Sequence, residues 1–192
     1  MSATIAVGPH MTTPALKTKL YLPPPRRDWV PRPRLIERLE QGLALGTVGF
    51  ERKLTLISAP AGFGKTSLLS AWAQNLVHAA APGSADEPQV RRVAWFSLDD
   101  GDNDPVQFWT YVIAALQTRY PALGALALAA IQSPPLPSIE VLLAGLINEL
   151  TDIPGPLVLV MDDYHVISNP QVHEAVAFFL DHMPPHMRCT PA

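Results

Sequence analysis

The residues best suited to chemistry form one glycine-rich turn that ends in a lysine and hydroxyls: Ala59-Pro60-Ala61-Gly62-Phe63-Gly64-Lys65-Thr66-Ser67. A short β-type run, residues 53–58 (KLTLIS), precedes it and a segment of helical period follows, the setting a phosphate-binding loop requires. Glycines let successive N–H groups turn inward around phosphate oxygens, and the helix N-terminus adds partial positive charge. In such a loop Lys65 reaches the β- and γ-phosphates and the Thr66 hydroxyl ligates Mg²⁺. Ala59 stands where the general pattern has its first glycine.

A metal held by Thr66 needs an acidic partner. Asp162-Asp163 closes the apolar run 157–161 (LVLVM), at the carboxyl end of a strand, where ligands collect in open α/β sheets. Asp162 is expected to hold Mg²⁺ through water, and Asp163 to orient or deprotonate an attacking water. Other constellations fail. Asp100, Asp102 and Asp104 have the first spacings of a calcium loop, but Pro105 and Tyr111 stand where it needs Gly and Glu. His182, His186 and Cys189 are close in sequence, yet Pro184-Pro185 break the helix that would align them on zinc. His165 and His173 read as loop histidines, since no Ser or Cys nucleophile lies in a recognisable elbow.

The elements that must position these groups follow from periodicity. Helical spacing runs over 34–45 (Leu35, Ile36, Leu39, Leu43), over 65–78 (Leu68, Leu69, Trp72, Leu76), over 107–119 and over 138–150. A last helix begins at Asn169-Pro170 and buries Val172, Val176, Phe179, Leu180 and Met183. Asp104, Pro105 and Gln107 predict a capping box. Strands are expected at 53–58, 92–98 and 157–161, with a loop over 79–90. Strands alternating with helices predict an α/β fold with a parallel sheet. Residues 1–29, punctuated by Pro9, Pro14, Pro23, Pro24 and Pro25, predict an extended arm before a domain over 30–192.

With 192 residues, 48% hydrophobic and 16% charged, the chain can bury a sizeable core. Its net charge of −3 is uneven: residues 1–53 carry 9 Lys/Arg against 4 Asp/Glu, the remainder 5 against 13. The basic part lacks aromatic interleaving, which favours a local anion or nucleotide contact over nucleic acid. One cysteine, Cys189, excludes a disulfide scaffold and fits a reducing, cytoplasmic setting. The N-terminus lacks the pattern of a secretory signal. The uncharged stretch 120–139 has an apolar part too short to span a membrane.

Several blocks in order, LKTKLYLPPPRRDWVPRPRLIERLEQGL, LTLISAPAGFGKTSLLSAWAQ, VAWFSLDDGDNDPVQFWTYVIAALQ and LVLVMDDYHVISNPQVHEAVAFFLDHMPP, carry a resemblance. The chain resembles the N-terminal part of the MalT-type, LuxR-tailed large ATP-binding transcriptional regulators of bacteria, signal-transduction ATPases of the STAND class. The resemblance implies a P-loop NTPase fold, helices on both faces of a parallel sheet, and a switch between ADP and Mg-ATP states. In the family inducer and ATP favour self-association and promoter-DNA binding through a C-terminal helix-turn-helix. It also places Arg32 and Arg34, within Val30-Pro31-Arg32-Pro33-Arg34, near the adenine. It implies a strand order 5-1-4-3-2. The ending HMRCTPA predicts a domain incomplete at its C-terminus, its fourth strand missing between 53–58 and 157–161, and hence a fragment without ATPase activity. Two other readings stay open: a small-molecule P-loop kinase, against which only Arg188 follows Arg119, and a non-hydrolysing nucleotide-dependent interaction module.

Overall fold

A run that is apolar at every position, as 157–161 is, suits a strand covered on both faces. In the computed structural model, which describes residues 16–24, 29–43, 49–78, 92–132, 135 and 137–192, that run is the middle strand of a parallel sheet. β1 (Arg92–Ser97) pairs with one side of β2 (Leu157–Asp162), and β3 (Met187–Pro191) with the other. The register sets Ser97 opposite Asp162 and Leu157 opposite Met187. Alternation then sorts side chains between two cores. Phe96, Leu157, Leu159, Met161 and Cys189 face one; Val93, Trp95, Val158 and Val160 face the other.

α3 (Pro105–Gln117), α4 (Ala125–Ile131), α5 (Ile139–Thr151) and α6 (Pro170–His182) cover the first face. α1 (Pro33–Gln41) and α2 (Lys65–His78) contribute Leu39, Leu68, Leu69 and Trp72 to the second. The fold is therefore α/β with a parallel sheet and helices on both sides. α4 was not expected from sequence. It lies within the uncharged stretch 120–139 and starts at Gly124, whose φ of +69° and close approach to Ile113 leave no room for a Cβ. Among the described residues no helix is long and apolar enough to cross a membrane.

The expected gap in the sheet is corrected. Residues 187–191 form the strand thought missing, and residues 53–57 run parallel to its free side. Cys189 N–H donates to the Lys53 carbonyl (2.8 Å), Thr55 N–H to the Cys189 carbonyl (3.0 Å) and Ile57 N–H to the Pro191 carbonyl (3.0 Å). Prolines do less damage than expected because of where they fall. Pro184 and Pro185 lie in the turn before β3, and Pro191, lacking an N–H, weakens the ladder only at its end. The expected strand over 53–58 is accordingly reduced to a bridge at Leu54 with Cys189.

The arm docks on the domain wherever it is described. Leu16 N–H donates to the Tyr111 hydroxyl (3.1 Å), and the Ser70 hydroxyl and Gln74 amide donate to the Pro23 carbonyl. Lys19 reaches Asp99 (2.8 Å) and the fully buried Asp102 (2.7 Å), with its ammonium 4.5 Å from the Tyr111 ring centroid. Asp102 also accepts from Asp99 N–H, and Asp99 accepts from Gly101 N–H, so the reciprocal capping box is Asp99/Asp102. This corrects the box placed at Asp104 and Gln107. Asp104 does cap α3 through Gln107 N–H, but the Gln107 amide points to Asp102. Asn103 then holds the loop after β2: its amide donates to the Val166 carbonyl, and its side-chain oxygen accepts from Ser168 and Asn169 N–H. The acidic block thus ties the arm, the end of β1 and the loop beyond Asp163 together. The loop expected at 79–90 lies outside the described residues.

Candidate phosphate and metal site

The turn between residue 58 and α2 needs backbone that only glycine adopts freely. Gly62 and Gly64 have φ of +82° and +75°. α2 begins at Lys65, with Leu68 N–H bonded to the Gly64 carbonyl, so the amides of the first helical turn face the loop. Lys65 Nζ folds back onto the Ala59 carbonyl at 3.0 Å. Arg32 donates through Nη1 to the Phe63 carbonyl at 2.8 Å, anchoring the segment before α1 to the loop. A Cβ at Gly64 would sit 3.5 Å from that guanidinium.

Folding closes the 97-residue separation between the loop and the acidic pair. Thr66 Oγ1 donates to Asp162 Oδ1 at 3.1 Å. Asp162 is 2% exposed, and its carboxyl is pushed up to about 6, first by burial and then by the neighbouring Asp163 charge; Thr66 and Lys65 oppose the shift. Asp163 stands just outside β2 in the left-handed region, φ 59° and ψ 31°, where a non-glycine residue is uncommon and an aspartate is tolerated. Its carboxylate lies 3.8 Å from His165 Nδ1.

A cavity of about 570 Å³ opens here, lined by Gly62, Gly64, Lys65, Thr66, Ser67 and Asp163, and closed on the arm side by Pro23, Pro24 and Trp29. That volume lies within the range of small-molecule sites. Ala59, Phe63 and Arg32 line a second cavity on the other side of Lys65, and Ala61 the first. Pro60 and Arg34 line neither, and Arg34 is exposed on α1, so Arg32 alone of the two expected arginines meets the loop. Trp29, Ser70 and His165 are wall residues that motif reading did not single out as contributors. His165 sits two residues after Asp163, and that proximity was its only signal.

The donors fit Mg²⁺ better than a protein-only metal centre. Thr66 lines the open cavity and its hydroxyl meets the buried Asp162 carboxylate behind it, hard oxygens of the kind that Mg²⁺ bound with water and phosphate takes. Among the described residues no group of three or more His, Cys, Asp or Glu could enclose an ion. The residues weighed for zinc have other partners: His182 contacts the Phe178 carbonyl, His186 the Leu150 carbonyl, and the buried Cys189 thiol faces Met183.

Comparison with known proteins gives a consistent set. The chain is 38% identical over 172 residues to the HTH-type transcriptional regulator MalT of Cronobacter sakazakii, 39% to that of Klebsiella pneumoniae and 37% to that of Yersinia enterocolitica. Each match takes in 90% of this chain but 17% of the relative, so the chain spans about a sixth of the length of the curated relatives it matches. No family model matches it.

Proposed function

We propose that this chain, similar over nine-tenths of its length to one segment of MalT-type transcriptional regulators, is a P-loop NTPase module that binds ATP or ADP with Mg²⁺. One observation carries the reading: the Thr66 hydroxyl and Asp162 carboxylate meet at 3.1 Å beside a cavity walled by Gly62, Gly64 and Lys65. A strand-ending turn alone gives no reason for a buried aspartate to meet the first helical residues of a distant loop.

In this reading the loop amides and the start of α2 hold phosphate oxygens, and Lys65 exchanges the Ala59 carbonyl for the β- and γ-phosphates. Thr66 and Asp162 hold the cation, whose charge would neutralise phosphate oxygens and keep Asp162 ionised. Asp163, beside the strand end and half exposed, would orient a water and accept its proton. Arg32 fixes the segment that the family resemblance sets near the base. In the complete regulator the module would act as a cytoplasmic switch, with inducer binding, self-association and promoter DNA depending on other segments. With β3 in place, the objection that the two halves of the site are a strand apart disappears.

Titrating a fluorescent ATP analogue with and without Mg²⁺ tests the reading. Lys65→Ala should weaken binding by roughly 10- to 100-fold, the equivalent of about 1.5–3 kcal/mol for a charge-assisted contact. Equal affinity in the two proteins would sink it. The kinase reading differs in one readout: it requires phosphate transfer to an added acceptor, where the switch reading gives none.

A further inference from the structure

We propose that the space beneath the C-terminal end of α1 is a second anion site, built around Arg188 and suited to a phosphate-class oxyanion, separate from the phosphate loop. Arg188 lies on β3 and points, like its register partner Val158, toward the α1 and α2 side of the sheet. It is 1% exposed, yet its Nε and Nη1 have no hydrogen-bond partner among the described residues. A buried guanidinium left this way is costly, and native structures rarely leave such donors unmet.

Arg188 lines a cavity of about 540 Å³ that runs between α1 and the exposed edge formed by residues 54–58. One end reaches Ala59, Phe63 and Lys65; the other is framed by Gly42, Arg52 and Arg188, with Arg38 one helical turn before Gly42. No aspartate or glutamate is among the described residues that line it. Gly42 makes the room: a Cβ there would fall 2.7 Å from Arg188 Nη2. A plain structural role, in which the guanidinium caps the carbonyl end of α1, leaves Nε and Nη1 unmet. Burial and the Arg52 charge together hold the Arg188 pKa down, to about 10, and an anion between the two arginines would reverse the second effect. Converging arginines without a carboxylate suit a multiply charged oxyanion, which offers more acceptor oxygens than a single carboxylate. Leu54 and Leu56 beside it leave space for an organic body attached to that group.

Titration of inorganic phosphate, and in parallel of butyl phosphate, into the 192-residue chain tests the site by calorimetry and thermal melting. Ser67 lines the loop cavity and not the Arg188 cavity, so Ser67→Glu sets a negative charge against phosphate at the loop alone, and saturable phosphate binding should persist in that variant within about twofold. Arg188→Met in the Ser67→Glu background should weaken it at least ~10-fold, and the exposed Arg52→Gln about 3-fold. Without phosphate, Arg188→Met should melt at or above the parent temperature, because an apolar side chain of similar length removes an unmet buried charge. Tighter binding of butyl phosphate than of phosphate would mark the anion as part of an organic ligand; equal affinity would mark it as free phosphate. The proposal is overturned if Ser67→Glu alone abolishes phosphate binding, or if Arg188→Met leaves the affinity unchanged. It is also overturned if Arg188→Met lowers the melting temperature without phosphate while Arg52→Gln leaves phosphate affinity unchanged. None of these outcomes depends on nucleotide affinity, which is read separately.

Discussion

Two acidic pairs sit at the carboxyl ends of neighbouring strands, Asp99 and Asp102 after β1 and Asp162 and Asp163 at the end of β2, and they have opposite fates. The first pair shares a cation from the chain itself: Lys19 bonds to both carboxylates, while Asp102 also accepts from Asp99 N–H. The second is left short of positive charge. Lys65, the cation of the adjoining loop, is bonded to a carbonyl, and the Asp162 carboxyl is shifted up to about 6. The same residue types make a fastener in one place and an open site in the other. What separates them is whether the chain supplies the counter-charge itself.

If that contrast holds, breaking the fastener should cost stability, and altering the open site should cost function. Asp102→Ala leaves the Lys19 ammonium and Asp99 N–H short of a buried acceptor, and should destabilise the fold by roughly 3–5 kcal/mol. Urea unfolding measures it; a loss under 1 kcal/mol would mean that the arm is dispensable. Asp163→Asn should fold normally, because asparagine tolerates the left-handed backbone at this position. In the chain extended to the length of its relatives it should keep Mg-ATP binding and slow turnover by about 10²-fold or more, the usual scale for losing a proton acceptor. Unchanged turnover would remove Asp163 from the chemistry. Lys65→Ala should change the unfolding free energy by less than ~0.5 kcal/mol, since substitutions without a buried side-chain partner change little, while losing nucleotide affinity. A large stability loss there would make Lys65 a fastener too.

The open site was legible because its signals are local. Glycines at 62 and 64, the hydroxyl at 66 and acids after an apolar run each declare themselves within a few residues. β3 was not, because MRCTP carries an arginine and lies between prolines, and nothing nearby marks it as buried. Its place is set by tertiary fit: Met187 and Cys189 fill the core under α5 and α6, and Gly42 admits Arg188. The Lys19 contact with Asp102 spans 83 residues and has no periodicity to betray it. The capping box was misplaced by one turn because Asp99 and Asp104 both cap, and the spacing of Gln107 does not reveal that its amide turns toward Asp102.

The fastener can also be tested by pH. The Lys19 ammonium bonded to Asp99 holds that carboxyl below its ordinary 3.8, and Lys19 itself is raised above 10.5 by Asp102 and Asp99, against the lowering effect of burial. A lowered acid favours the folded state above the unfolded value of 3.8, and that contribution fades as pH falls through the lower folded value. The raised lysine favours the folded state below 10.5 and loses its contribution as pH rises beyond. Stabilisation from the pair should therefore be full between about pH 5 and 9 and shrink at both ends. Asp99 is 60% exposed on its side chain, so water screens the pair and Asp99→Asn should cost only about 0.5–1 kcal/mol at pH 7. Urea midpoints of wild type and Asp99→Asn at pH 7, 4 and 3 decide it, with the difference expected to narrow toward pH 3. A difference that stays constant over that range would show Asp99 acting only as the neutral cap of the turn at Gly101, with the positive charge on Lys19 answered by Asp102 alone.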